Sequence, residues 1–149
     1  GMVMKTIEPI LNQAFEAELS PVFKREACYY AAMDYLEYVN RDVICISERI
    51  DGVLTLIWNS DKTDLVGFKL KGFRYVFQQL KASLQLKDEH FVSMVETLEL
   101  TFTTLCNKIF DVSDDGENKR RQFAYQEAKK IAEQDNVTFD AHQTSLIAA

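Results

Sequence analysis

Residues 48–73 read ERIDGVLTLIWNSDKTDLVGFKLKGF, two apolar runs joined by a polar turn, the second ending among lysines. Upstream of it, side chains alternate from Val43 to Arg49, with Ile44, Ile46, Glu48 and Ile50 on one face and Val43, Cys45, Ser47 and Arg49 on the other. Asp51-Gly52 is a tight-turn signal, because glycine supplies the positive φ that a short hairpin demands. The run VLTLIWN at 53–59 is then an antiparallel strand. SDKTD at 60–64 makes the next turn, and LVGFKLK at 65–71 a further strand with Val66, Phe68 and Leu70 on one face and Lys69 and Lys71 on the other.

Working back towards the N-terminus, NRD at 40–42 reads as another hairpin turn. ACYYAAMDYLEYV at 27–39 is ambiguous. Alanine and leucine suit a helix, while the tyrosines and Val39 suit a strand. The alternation that follows favours one strand over residues 28–39, with helix as the alternative. Further back, Ile7, Ile10, Leu11, Ala14, Phe15 and Leu19 recur at helical spacing and predict a helix within residues 2–20, with Thr6 as its cap and Pro9 in its first turn. Gly1 ahead of Met2 reads as a cloning remnant.

Beyond Gly72 the apolar period changes from 2 to 3.6. Phe73, Val76, Phe77, Leu80 and Leu84 form one stripe, so a helix begins at Phe73. A longer helix opens at KDEH (87–90) with Asp88 as cap, its stripe running Phe91, Val95, Leu98, Phe102, Leu105 and Ile109; Met94 and Leu100 fall off that stripe. DVSDDGEN at 111–118 is a loop by composition. KRRQFAYQEAKKIAEQ at 119–134 is a last polar helix with a thin face of Ala124, Ala128 and Ile131, followed by a tail from residue 135 to 149. The prediction is an α+β domain: an antiparallel meander of three to four strands over 28–71, packed on one face by helices, with helices over 73–134.

Length and composition agree with one domain. The chain has 149 residues, 47% of them hydrophobic, enough for a core of its own. A formal net charge of −6 argues against a dedicated nucleic-acid or anionic-membrane binder. Cys28, Cys45 and Cys106 are few, odd in number and far apart, so no disulfide framework or CxxC motif is predicted, and they read as small packed hydrophobes. With no signal-peptide pattern and no apolar run near the ~20 residues a bilayer requires, the reading is a cytoplasmic protein without a membrane partner.

Asp34-x-Leu36-x-Tyr38 followed by the stretch at 48–73 resembles a bacterial family of small uncharacterised proteins whose signature is a D-x-L-Y strand, a D/G turn and V-G-I-E-I-L. About a third of the chain shares it, with Phe68, Lys69 and Leu70 standing where the family has I-E-I. The resemblance implies the meander and leaves the function open.

No catalytic, cofactor or metal residues are predicted. The carboxylates Asp34 with Glu37, and Glu48 with Asp51, read as a solvated face. A nuclease hairpin of the D…(D/E)-x-K type needs an acid where Gly67 and Lys69 stand. His90 and His142 lack ligand spacing. With two histidines the chain offers few bases to activate a serine or cysteine, and no phosphate-cradling glycine loop opens a helix.

One asymmetry stands out. From Val66 to Lys87 five residues are basic (Lys69, Lys71, Arg74, Lys81, Lys87) and none is acidic. Arg49, Lys69, Lys71, Arg74 and Trp58 are therefore the candidate interaction surface, on an open sheet face together with Glu48 and the tyrosines at 29, 30, 35 and 38. The first expectation is a non-catalytic protein-interaction or regulatory module, with a protein partner or a second copy as a homodimer. The alternatives are a nucleic-acid-associated regulator using 66–87, with Phe68, Phe73, Tyr75 and Phe77 to stack bases, and a small hydrolase without a recognisable motif.

Overall fold

A computed structural model describes residues 26–84, 91–109 and 115–141. The predicted helix within 2–20, the Asp88 cap, His90, His142 and the last eight residues of the tail lie outside them. Among the described residues the strands are β1 (Glu26–Tyr30), β2 (Tyr35–Val39), β3 (Cys45–Arg49), β4 (Leu54–Asn59), β5 (Leu65–Lys71), β6 (Phe91–Ser93) and β7 (Thr138–Asp140). They form one seven-stranded sheet in the order β3-β4-β5-β2-β1-β7-β6. All neighbours are antiparallel except β1 and β7, which are parallel.

The α+β class is as predicted, and so is the β3-β4-β5 meander. Its first turn is set by Asp51, whose carboxylate accepts the amides of Val53 at 2.8 Å and Leu54 at 2.7 Å. Its second is set by Asn59, whose side-chain oxygen accepts the amides of Thr63 at 2.8 Å and Asp64 at 3.0 Å. Both are side chains that replace a backbone partner within a turn.

The predicted sheet of three to four antiparallel strands is too small. Residues 28–39 are two strands rather than one, broken by a turn over 31–34 that ends at Asp34 with φ 55°. An aspartate tolerates that left-handed backbone, but Ala-Ala-Met-Asp lacks the glycine that would announce it. Nor is 40–42 a hairpin turn, since β2 pairs with β5 and leaves β3 at the edge. Leu36 lies opposite Leu70 and Tyr38 opposite Phe68, so this pairing puts the apolar residues of both strands on one face. Strands β6 and β7, three residues each, fall where a helix start and a tail were predicted. Strands so short carry no alternation to read.

Three helices follow. α1 (Phe73–Leu84) begins where predicted and buries the predicted stripe. α2 (Met94–Ile109) starts later than predicted, after Ser93, whose hydroxyl accepts the Glu96 amide at 3.3 Å. Among its described side chains Met94, Thr97, Leu98 and Thr101 are buried, so Met94 is on the true stripe and Phe91, exposed on β6, is not; the side chains of Leu105 and Ile109 lie outside the described ones. α3 (Asp115–Gln134) begins inside the predicted loop and buries Ala124, Ala128 and Ile131 as predicted, with Arg121 and Tyr125 besides.

One core joins the helices to one sheet face. Leu36, Tyr38, Leu54, Leu56, Phe68 and Leu70 meet Phe73, Phe77, Leu80 and Leu98. Phe139 of β7 sets its ring edge-on to Phe73 and Phe77, at 5.4 and 5.9 Å between centroids.

Candidate interaction surface

On the sheet face turned away from this core, register aligns one row across the strands. Cys28 lies opposite Glu37, Glu37 opposite Lys69, Lys69 opposite Thr55 and Thr55 opposite Arg49. Lys71, two residues on in β5, lies on the same face, opposite Tyr35. Register therefore places Arg49, Lys69 and Lys71 on one face of the sheet. Lys69 is not idle. Its Nζ stands 3.9 Å from a Glu37 carboxylate oxygen and 4.4 Å above the Tyr35 ring centroid.

Trp58 and Arg74 belong elsewhere. Trp58 follows Leu54 and Leu56 on the helix side, packs against the core, and donates its indole N–H to Glu48 at 3.0 Å. Glu48 also meets the guanidinium of Arg120 at 3.3 Å, so it is a partner of α3 and not part of the open face. Arg74 lies in the first turn of α1, where its amide donates to the Asp34 carboxylate at 2.9 Å and its guanidinium reaches the Tyr29 hydroxyl at 3.4 Å. That hydroxyl donates to the same carboxylate at 2.7 Å, and burial followed by this bond holds the Tyr29 pKa above its ordinary value. The cluster caps α1 and fixes the β1–β2 turn.

The aromatics of 66–87 are also committed. Phe68, Phe73 and Phe77 are buried in the core, which leaves Tyr75 exposed as the one ring among the four able to stack on a base. Of the tyrosines expected on the open face, Tyr38 is buried and donates its hydroxyl to Asp135 at 2.7 Å. Tyr30 is exposed, and Tyr29 and Tyr35 are half-buried. Cys28 and Cys45, expected to pack as small hydrophobes, are both exposed.

The surface that sequence reasoning undervalued is the edge strand. Val43 is 41% exposed, Ile44 81% and Ile46 42%, with Cys45 exposed between them. β3 pairs with β4 on one side only, so the peptide groups of its outer edge have no strand beside them among the described residues. Its C-terminal end is fastened: Arg120 donates to the carbonyls of Ile50 at 3.2 Å and Arg49 at 3.0 Å. The signal was present in sequence, since VICI is apolar on both faces, which no half-buried strand requires. The edge position that gives it meaning depends on β2 pairing with β5.

Little else is shaped like a site. An open cleft of about 220 Å³ between α2 and α3, lined by Phe102, Tyr125 and the Lys129–Glu99 ion pair, is smaller than ordinary ligand pockets. Among the described residues there is no group of three or more His, Cys, Asp or Glu side chains able to hold a metal ion, and no helix long and apolar enough to cross a membrane. Comparison with protein-family profiles, with curated proteins and with solved structures found no match to this chain.

Proposed function

We propose that this chain is a non-catalytic protein-interaction module that works by strand addition at β3. The observation that carries the reading is the exposed apolar run of Val43, Ile44 and Ile46 leading into and along the outer strand β3, whose C-terminal end Arg120 fastens. Open edges are usually blunted by charge, proline or brevity. At the other end of the sheet β6 is blunted by brevity, with three residues. Residues 43–47, which lead into β3 and form its first three positions, carry neither proline nor charge; the charged residues of β3, Glu48 and Arg49, lie at its C-terminal end. An added strand would satisfy its peptide groups, and alternate side chains would cover Ile44 and Ile46.

A second copy of the chain fits as the occupant. It carries the same apolar edge, and antiparallel pairing of β3 with β3 about a two-fold axis closes both edges at once. Light-scattering mass across a concentration series tests this. The native chain is expected at dimer mass, and Ile44→Lys, which places a charge on a side chain already 81% exposed, at monomer mass with an unchanged circular dichroism spectrum. A native chain that stays monomeric, and that captures no protein which Ile44→Lys fails to capture, overturns the reading.

A further inference from the structure

The face of the sheet turned away from the helices holds a second buried cluster. Ile57 is 3% exposed, Thr55 3% and Val66 0%, with Gly67 buried beside them and Val39 half-buried. Ile57 and Thr55 point away from the core by strand alternation, and Ile57 and Val66 are absent from the cluster that joins sheet and helices. The bulge where Ile57 faces Gly67 but Trp58 faces Leu65 leaves Val66 as the extra residue of β5. The Thr55 hydroxyl is buried without a hydrogen-bond partner among the described residues. Side chains this buried in the middle of a sheet face need a cover, and α1, α2 and α3 are all spent on the other face.

We infer that residues 6–20 of the same chain dock across this face as an amphipathic helix. Three observations select this occupant. First, the stripe Ile7, Ile10, Leu11, Ala14, Phe15 and Leu19 requires an apolar surface to lie on. Thirteen helical residues run about 20 Å, close to the span of the five strands from β3 to β1, four spacings of ~4.8 Å. Second, the chain enters the sheet at the right place. Glu26 opens β1 two residues before Cys28, which puts it in the same cross-strand row as Val39, Gly67 and Ile57. Third, the charges match. Residues 6–20 carry Glu8, Glu16 and Glu18 and no basic residue, while the face presents Arg49, Lys69 and Lys71 against Glu26 and Glu37. The basic residues of this face are thus an internal seat for an acidic helix, which gives Lys69 and Lys71 a partner within an acidic protein.

Two measurements on the full chain test this. Carbodiimide joins carboxylates to amines in contact, so in the unaltered protein it is expected to link Glu8, Glu16 or Glu18 to Lys69 or Lys71 at monomer mass. The same links found only at dimer mass give the face to a second copy, and no link between these segments leaves the helix elsewhere; either overturns the inference. Thr55→Cys, close in size, then reports cover: its alkylation, read peptide by peptide against exposed Cys45, is expected to be slower by about tenfold or more. Leu11→Asp with Phe15→Asp should remove that protection and Gln13→Asp, off the stripe, should not. Protection that survives the stripe substitutions also overturns it. Should the stripe variant fail to fold, the crosslinks in the unaltered chain decide alone.

Discussion

Asp51 shows how much one residue of the deciding turn does. Its carboxylate takes two backbone amides through one oxygen, which shapes the hairpin, and its other oxygen stands 3.4 Å from Nε of Arg121. That contact meets an ion-pair distance without the alignment of a hydrogen bond, and both side chains are buried, at 2% and 8% exposure. Removing one member of a buried pair strands the other charge away from water. Arg121→Met is therefore expected to destabilise the fold by about 3–5 kcal/mol, read as an earlier midpoint in urea followed by the fluorescence of Trp58, the chain's one tryptophan. A loss below about 1 kcal/mol would place the pair among those that solvent screens. From sequence, Asp51 was legible as a turn residue because the Asp-Gly signal is local. Its ion pair was not, because 70 residues separate the partners and no pattern in either segment points to the other.

At the scale of elements, legibility followed length and period. The five large apolar residues of α1 and the alternating strands β3, β4 and β5 could be read because each repeats its signal several times. The start of α2 could not, since Phe91 and Val95 fit a helical stripe while the chain is still in strand β6 at Phe91–Ser93. What ends the strand and starts the helix is Ser93 followed three residues later by Glu96, a capping pair hidden inside an apolar run. Ser93→Ala removes the acceptor for the Glu96 amide, and a loss of about 1 kcal/mol is expected in thermal or chemical unfolding. Ser93→Asp restores an acceptor and places a negative charge at the positive end of the helix, so it should recover most of that loss. Equal stability of all three would show that β6, and not the cap, fixes where α2 begins. The candidate site divides along the same line. Alternation is enough to put Arg49, Lys69 and Lys71 on one sheet face, whereas the positions of Trp58 and Arg74 depend on the helix side of the sheet and on the capping of α1 by Asp34, which are tertiary facts.

The whole molecule is held together by a strand that sequence reading assigned to the tail. β7 lies between β1 and β6, parallel to one and antiparallel to the other, so the C-terminal segment closes a sheet whose other strands come from the first two-thirds of the chain. Parallel neighbours cannot be joined by a tight turn, which is why the connection from β1 to β7 encloses nearly the whole fold. Phe139 is the anchor: fully buried, opposite Ala27 on one side and Val92 on the other, with its ring edge-on to Phe73 and Phe77 of α1. Phe139→Ala should cost about 3–5 kcal/mol through the lost burial and the cavity left behind. Where that loss appears tests the architecture. Trp58 reports on the meander, at the far end of the sheet from β7, whereas hydrogen exchange of the β1 and β7 amides reports on the site of the change. If the sheet folds as one unit, both probes shift to the same lower midpoint, because β2 ties β1 to β5 along a shared row of core residues. If β1, β7 and β6 open while the Trp58 transition stays where it was, the meander is a separable folding unit and the sheet is two cooperative pieces joined at β2.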